Sequence, residues 1–194
     1  MCSEDMKKIP TLFERIYDGH KIVDIKPNIT SGCEDAFLHG DATIKIDGSC
    51  CAIINGEFYK RYDCKNGNDP PEGFFPCCKP DKITGHWPGW IKCDRKKKED
   101  KWFWKAYDMS EETCGHLEDG TYEAIGVHFN SNPYNMKIDR LEKHGIKEIS
   151  VKRDFDSIRE YLMEHHIEGI VFWKDGEPKC KIKRSDFGFE WNKH

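Results

Sequence analysis

The chain has 194 residues, of which 34% are charged, 37% hydrophobic and 12% aromatic, and its formal net charge is −4. This excludes a disordered chain, which lacks the aromatics for a core. It also excludes a uniformly basic nucleic-acid coat, although a local basic groove stays compatible, because net charge does not say where charges sit. The length fits a single domain over residues 1–194. No run of 18 apolar residues exists to form a transmembrane helix. The start, Met1-Cys2-Ser3-Glu4-Asp5, is acidic and has no apolar stretch, so it is not a secretory leader. The expected setting is cytoplasmic or nuclear, with no membrane partner. Ten cysteines, at 2, 33, 50, 51, 64, 77, 78, 93, 114 and 180, are then expected as reduced, mostly buried thiols. Zinc on Cys64, Cys77, Cys78, His86 and Cys93 is the alternative, but the paired spacings of structural zinc sites are missing.

In chain order, Thr11 to Tyr17 has a short helical pattern and Ala42 to Asp47 alternates as a strand. Residues 50–54 and 57–62 flank Asn55-Gly56 and predict a hairpin, since a type I′ turn needs φ > 0 at both central residues. Residues of about 64–100 are rich in Cys, Pro and Lys and read as an irregular insertion with a small core on Trp87 and Trp90. Thr121 to Phe129 reads as a partly buried strand. Asp154 or Asp156 can cap a helix over about 157–165. A second hairpin joins 169–173 to 179–183 through Asp175-Gly176. From Ser185 onward no period is visible. The expected fold class is α+β, mainly antiparallel sheets with flanking helices.

Four segments carry chemistry. Lys45-Ile46-Asp47-Gly48-Ser49 ends a strand; alone, such a run is an exposed strand end entering a turn. Tyr122-Glu123-Ala124-Ile125-Gly126 puts a carboxylate in an apolar strand, where an unpaired charge is costly, so Glu123 needs a partner. Glu168-Gly169-Ile170-Val171-Phe172 opens the second hairpin, and its return strand carries Lys181 and Lys183, two cations on one face.

In this order the four segments resemble motifs I, III, IV and V of the covalent nucleotidyltransferases, the ATP-dependent ligases and mRNA capping enzymes, over about 140 residues. The chain is more closely similar to the vertebrate-type ATP-dependent 5′-to-3′ RNA ligase family. Glu123-Ala124-Ile125-Gly126 followed by Asn130-Ser131-Asn132-Pro133-Tyr134 resembles its E-L-I-G and N-G-N-P-Y run. Gly85-His86-Trp87-Pro88-Gly89-Trp90 matches G-H-x-P-G-W, and Gly48-Ser49-Cys50-Cys51 resembles G-T-C-C. Ala124 stands for leucine, Ser131 for glycine, and the segments between motifs are shorter. The resemblance implies a nucleotidyltransferase (ATP-grasp-like ligase) domain. Only about ten residues follow Lys183-Arg184, so no C-terminal OB-fold is expected.

The implied reaction joins an RNA 5′-phosphate to a 3′-hydroxyl through lysyl-AMP on Lys45, using ATP and Mg²⁺ or Mn²⁺, in RNA repair. An ordinary lysine is almost wholly charged at pH 7, and neighbouring cations favour the reactive neutral amine. Lys181 and Lys183 would supply that field and stabilise the phosphoryl oxygens. Glu168 is a hard ligand for the metal. Gly48 would let backbone approach phosphate, Glu123 would accept from ribose hydroxyls, and Arg61 would hold a phosphate. Asp47 would orient Lys45 or hold the turn. Tyr122, Phe129 and Trp102-Phe103-Trp104 are candidate stacking faces for adenine, and the run Arg95-Lys96-Lys97-Lys98 is a candidate RNA contact. The alternatives are a GTP-dependent capping-type guanylyltransferase and a catalytically silent RNA-binding module.

Overall fold

The computed structural model describes residues 8–65 and 67–191. In chain order the elements are β1 (Phe13–Asp18), β2 (Lys21–Ile29), α1 (Glu34–His39), β3 (Asp41–Lys45), β4 (Ser49–Ile54), β5 (Glu57–Cys64), β6 (Phe75–Pro76) and β7 (Trp87–Lys92). There follow α2 (Lys101–Cys114), β8 (Gly120–Ile125), β9 (Arg140–Lys143), α3 (Phe155–Glu164), β10 (Gly169–Lys174) and β11 (Glu177–Lys183). The class is α+β with antiparallel sheets. No helix among the described residues is long and apolar enough to cross a membrane.

The chain forms two compact units. A terminal unit combines Ile9–Ile46 with the segment that starts at Gly145, and a central unit is built on Asp47–His144. The chain passes from one to the other between Ile46 and Asp47, one residue beyond Lys45.

The terminal unit holds the sheet β11-β10-β3 and the hairpin β1-β2. One sheet face presents Ala42, Ile170, Phe172, Cys180 and Ile182 to a core shared with Leu12, Phe13, Phe37, Ile158 and Leu162. Phe13 sits edge-on to Phe37 at 5.7 Å and to Phe155 at 4.9 Å, the favoured aromatic geometry. The expected helix over Thr11 to Tyr17 is instead β1 and its lead-in. The Leu12 N–H donates to the Lys181 carbonyl at 2.7 Å, and β1 pairs with β2. Sheet hydrogen bonds to distant partners override the local period here. The predicted helix near 157 is α3, and Asp154 is its cap, accepting from the Ser157 N–H at 2.9 Å. The unpatterned C-terminal stretch begins with a 3₁₀ turn, Arg184–Phe187, and packs Phe187 and Phe189 on the core.

The central unit is a six-stranded sheet ordered β6-β7-β5-β4-β8-β9. Both predicted hairpins form, with left-handed φ of 52° and 73° at Asn55-Gly56 here, and 53° and 76° at Asp175-Gly176 in the terminal unit. Residues 64–100 are not wholly an insertion. β7 adds to the sheet beside β5, and Trp90 is buried with Ala52 and Cys77 on a sheet face rather than in a separate core. The strand predicted to reach Phe129 stops at Ile125, because Gly126 takes φ of 131°. On the other face, Cys51, Phe58, Tyr122, Ala124 and Leu141 pack with Ala106 and the aromatics of α2, a helix the sequence reading does not identify. Ser110 on α2 accepts from the Leu141 N–H at 2.8 Å.

Candidate functional site

Cross-strand register places the cations of the terminal unit. Gly169 on β10 is opposite Lys45 on β3 and opposite Lys183 on β11, and Val171 is opposite Thr43 and Lys181. Alternate residues share a face, so Lys45, Lys181 and Lys183 all lie on the face away from the apolar core. Gly169 leaves no side chain between the rows of Lys45 and Lys183, and a Cβ there would meet the Ile182 carbonyl oxygen at 2.3 Å. The Lys45 ammonium donates to Glu168 Oε2 at 2.6 Å, with the two side chains 23% and 13% exposed. This changes the sequence expectation: Lys45 stands on a cationic face, but its direct neighbour is a carboxylate. The Arg184 N–H donates to the Glu168 carbonyl at 2.9 Å and anchors it. Asp186, buried and not singled out by the sequence, accepts from the Lys183 N–H at 2.8 Å and from Arg15 at 2.7 Å.

The remaining predicted residues lie in the central unit. Cys50 on β4 is opposite Glu123 on β8, and Glu123 is opposite Glu142 on β9, so the three share a face. Glu123 is buried. Its carboxylate accepts from the Gly48 N–H at 3.1 Å and lies 2.8 Å from His144 Nε2. That answers the need for a partner with main chain and imidazole. Gly48 is required for contact with β8: a Cβ would meet the Ala124 carbonyl oxygen at 2.3 Å. The backbone approach it permits in this structure is therefore to β8. Arg61 donates to Asp63 at 3.0 Å and lies over the Trp90 ring at 5.7 Å.

The run Asn130-Ser131-Asn132-Pro133-Tyr134 clamps the loop that follows Lys45 in sequence. Asn130 Nδ2 donates to Asp47 Oδ1 at 2.8 Å and to the Gly48 carbonyl at 2.6 Å, while the Asp47 N–H donates to the Tyr134 hydroxyl at 2.6 Å. Asn130, Ser131 and Asn132 take left-handed φ of 44°, 58° and 53°. Such backbone costs energy unless surrounding bonds fix it. Asn132 supplies two, to the N–H and carbonyl of Met136. Of the two roles open to Asp47, holding the turn has this direct support.

The candidate adenine faces are occupied by the protein itself. Tyr122 and Phe129 are buried core residues, Trp104 packs edge-on to Phe58, and Trp102 stacks on His128 at 3.4 Å. Arg95 of the basic run pairs with Asp108 at 2.7 Å and lies over Trp104.

Six of the nine described cysteines are buried, and all nine are free thiols. Burial, with Asp100 adding to it, pushes Cys93 up to about 12. Burial and then the Glu123 charge push Cys50 well above the ordinary thiol range. Among the described residues, Cys64, Cys77, Cys78, His86 and Cys93 form no metal-ligand cluster. Cys50, Glu123 and His144 do, with ligand atoms within 4.8 Å of one another. His144 has no motif around it, so only the β8-β9 pairing reveals it. Compared with known proteins, the chain matches no family model and no curated sequence.

Proposed function

We propose that the chain is an ATP-dependent RNA ligase acting through Lys45, with RNA bearing 5′-phosphate and 3′-hydroxyl ends as substrate. The observation that supports it most is the terminal-unit face, where Lys45 and Lys183 flank Gly169, Lys181 lies on the same face, and Glu168 bonds Lys45. A triphosphate carries the charge that Lys181 and Lys183 would complement. In the first step the Lys45 nitrogen bonds to the α-phosphorus of ATP and the bond from phosphorus to the pyrophosphate oxygen breaks. The displaced protons of Lys45 pass to solvent. AMP then moves to the RNA 5′-phosphate, and the 3′-hydroxyl attacks that phosphate and expels AMP.

Lys45 cannot attack while it donates to Glu168, so the ion pair must open first. Glu168 offers one hard oxygen donor, which fits Mg²⁺ or Mn²⁺, ions that keep waters and bind through few carboxylates plus phosphates. Bound there, the metal would neutralise phosphate charge. Lys181 and Lys183 then face developing negative charge on the phosphoryl oxygens.

The test is covalent labelling with α-labelled ATP and Mg²⁺, with GTP run in parallel. Label is expected from ATP, stable to denaturation, and absent in Lys45→Ala. Labelling retained in that variant overturns the assignment to Lys45. Label from GTP alone makes the chain a capping-type guanylyltransferase, and RNA binding without label makes it a binding module.

A further inference from the structure

We propose that the central unit binds one borderline-soft divalent cation, Zn²⁺ in preference to Mg²⁺, through Cys50, Glu123 and His144. The inference does not rest on the ligase reading, and it gives Glu123 a metal-binding role in place of the ribose contact that the family resemblance implies. It rests first on convergence: a thiol, a carboxylate and an imidazole have ligand atoms within 4.8 Å of one another. Around a tetrahedral zinc, ligand atoms lie about 3.5 Å apart, given bonds of roughly 2.0–2.3 Å. Rotamer adjustment of about an ångström therefore closes the set.

The scaffold is rigid. Cys50 and Glu123 are opposed across β4 and β8, and His144 directly follows β9, its N–H donating to the Thr121 carbonyl at 3.1 Å. Ligands held on strands keep their geometry better than ligands on loops. The Gly48 N–H on Glu123 Oε1 is the kind of outer hydrogen bond that orients a metal-binding carboxylate.

The second observation is the chemistry of the donors, with His144 Nε2 already 2.8 Å from the Glu123 carboxylate. Sulfur and nitrogen donors select zinc-like ions over hard cations, and three protein ligands leave a position for water or substrate. The thiol proton of Cys50 leaves to solvent as the metal–sulfur bond forms.

Cobalt reports the site directly. Titrating the whole protein with Co²⁺ should give the visible bands of a four-coordinate ion and a near-ultraviolet thiolate charge-transfer band. Both should saturate at one equivalent, vanish on adding Zn²⁺ and resist excess Mg²⁺. Cys50→Ser should lose the charge-transfer band and weaken Zn²⁺ binding at least about tenfold, while Cys114→Ser, at an exposed thiol outside the cluster, should change neither. Zn²⁺ should also slow iodoacetamide alkylation of wild-type Cys50, mapped by mass spectrometry, which needs no variant to fold. A band that persists in Cys50→Ser, displacement by Mg²⁺, or unprotected Cys50 overturns the proposal. Labelling by ATP has no bearing on these readouts.

Discussion

On the terminal-unit sheet one row of cross-strand neighbours reads Lys45, Gly169 and Lys183; on the central-unit sheet one reads Cys50, Glu123 and Glu142. Both rows concentrate one kind of charge or donor, and each is relieved differently. The cationic row is relieved by Glu168, a side chain just ahead of β10 that remains partly exposed. The anionic row is relieved by the Gly48 main chain, by His144, and by Arg140, which lies 2.5 Å from Glu142. A displaceable side-chain partner suits a face that must exchange one charge for another. A main-chain partner beside a buried carboxylate suits a site that holds its shape.

The contrast sharpens when the Lys45–Glu168 pair is set against a second lysine–carboxylate pair. In the central unit Asp100 is fully buried; it accepts from Lys60 at 2.5 Å and from the Asp94 N–H at 2.8 Å. Removing one partner of a buried pair strands the other charge. Asp100→Ala should therefore cost about 3 kcal/mol of stability, measured by urea denaturation. The double variant Lys60→Met/Asp100→Leu should recover much of that loss. An unchanged midpoint for Asp100→Ala would show that this pair contributes nothing.

Glu168→Gln should behave in the opposite way. The pair is partly exposed and such pairs contribute little, so the unfolding midpoint should move by no more than about 1 kcal/mol. On the ligase reading, covalent labelling should nevertheless slow at least about 100-fold, roughly 2.7 kcal/mol of barrier, because the carboxylate charge proposed to hold the metal is gone. Full labelling at wild-type rate would remove Glu168 from the chemistry. A large stability loss with normal labelling would make it a structural pair like that of Asp100.

What the sequence displays follows the range of the interaction responsible. Asn55-Gly56 and Asp175-Gly176 announce their hairpins because the left-handed backbone is a demand of two adjacent residues. Asp154 or Asp156 announces α3 because a cap acts over three residues, and the Ser157 N–H bond then selects Asp154. Lys45, Lys181 and Lys183 are visible as a set through motif order, and register then puts them on one face. By contrast, β1 depends on pairing with β2 and on the Leu12 bond to Lys181, so its local period misleads. α2 buries Ala106 and Ser110 under a flank of aromatics, and small buried residues give a weak helical period. The Glu168 bond to Lys45 spans 123 residues, and His144 meets Glu123 only through β8-β9 pairing. No local signal carries either.

The smallest expected effect compares two aspartates at helix starts. Asp100 occupies the N-cap position of α2 without a side-chain bond to that helix, while Asp154 caps α3 through the Ser157 N–H. That bond, helped by Lys152, holds the Asp154 carboxyl below its ordinary range. A carboxyl lowered on folding binds its proton more readily in the unfolded chain, so stability rises as pH climbs. The contribution is fully present above the unfolded-state value and is lost as pH falls through the folded-state value. Asp154→Asn keeps a capping oxygen and removes only the charge. Thermal midpoints of wild type and Asp154→Asn should coincide in strong acid and separate slightly in favour of wild type towards neutral pH. Curves that stay parallel across that window would mean that Asp154 stabilises α3 as a hydrogen-bond acceptor alone, with the ion pair to Lys152 adding nothing.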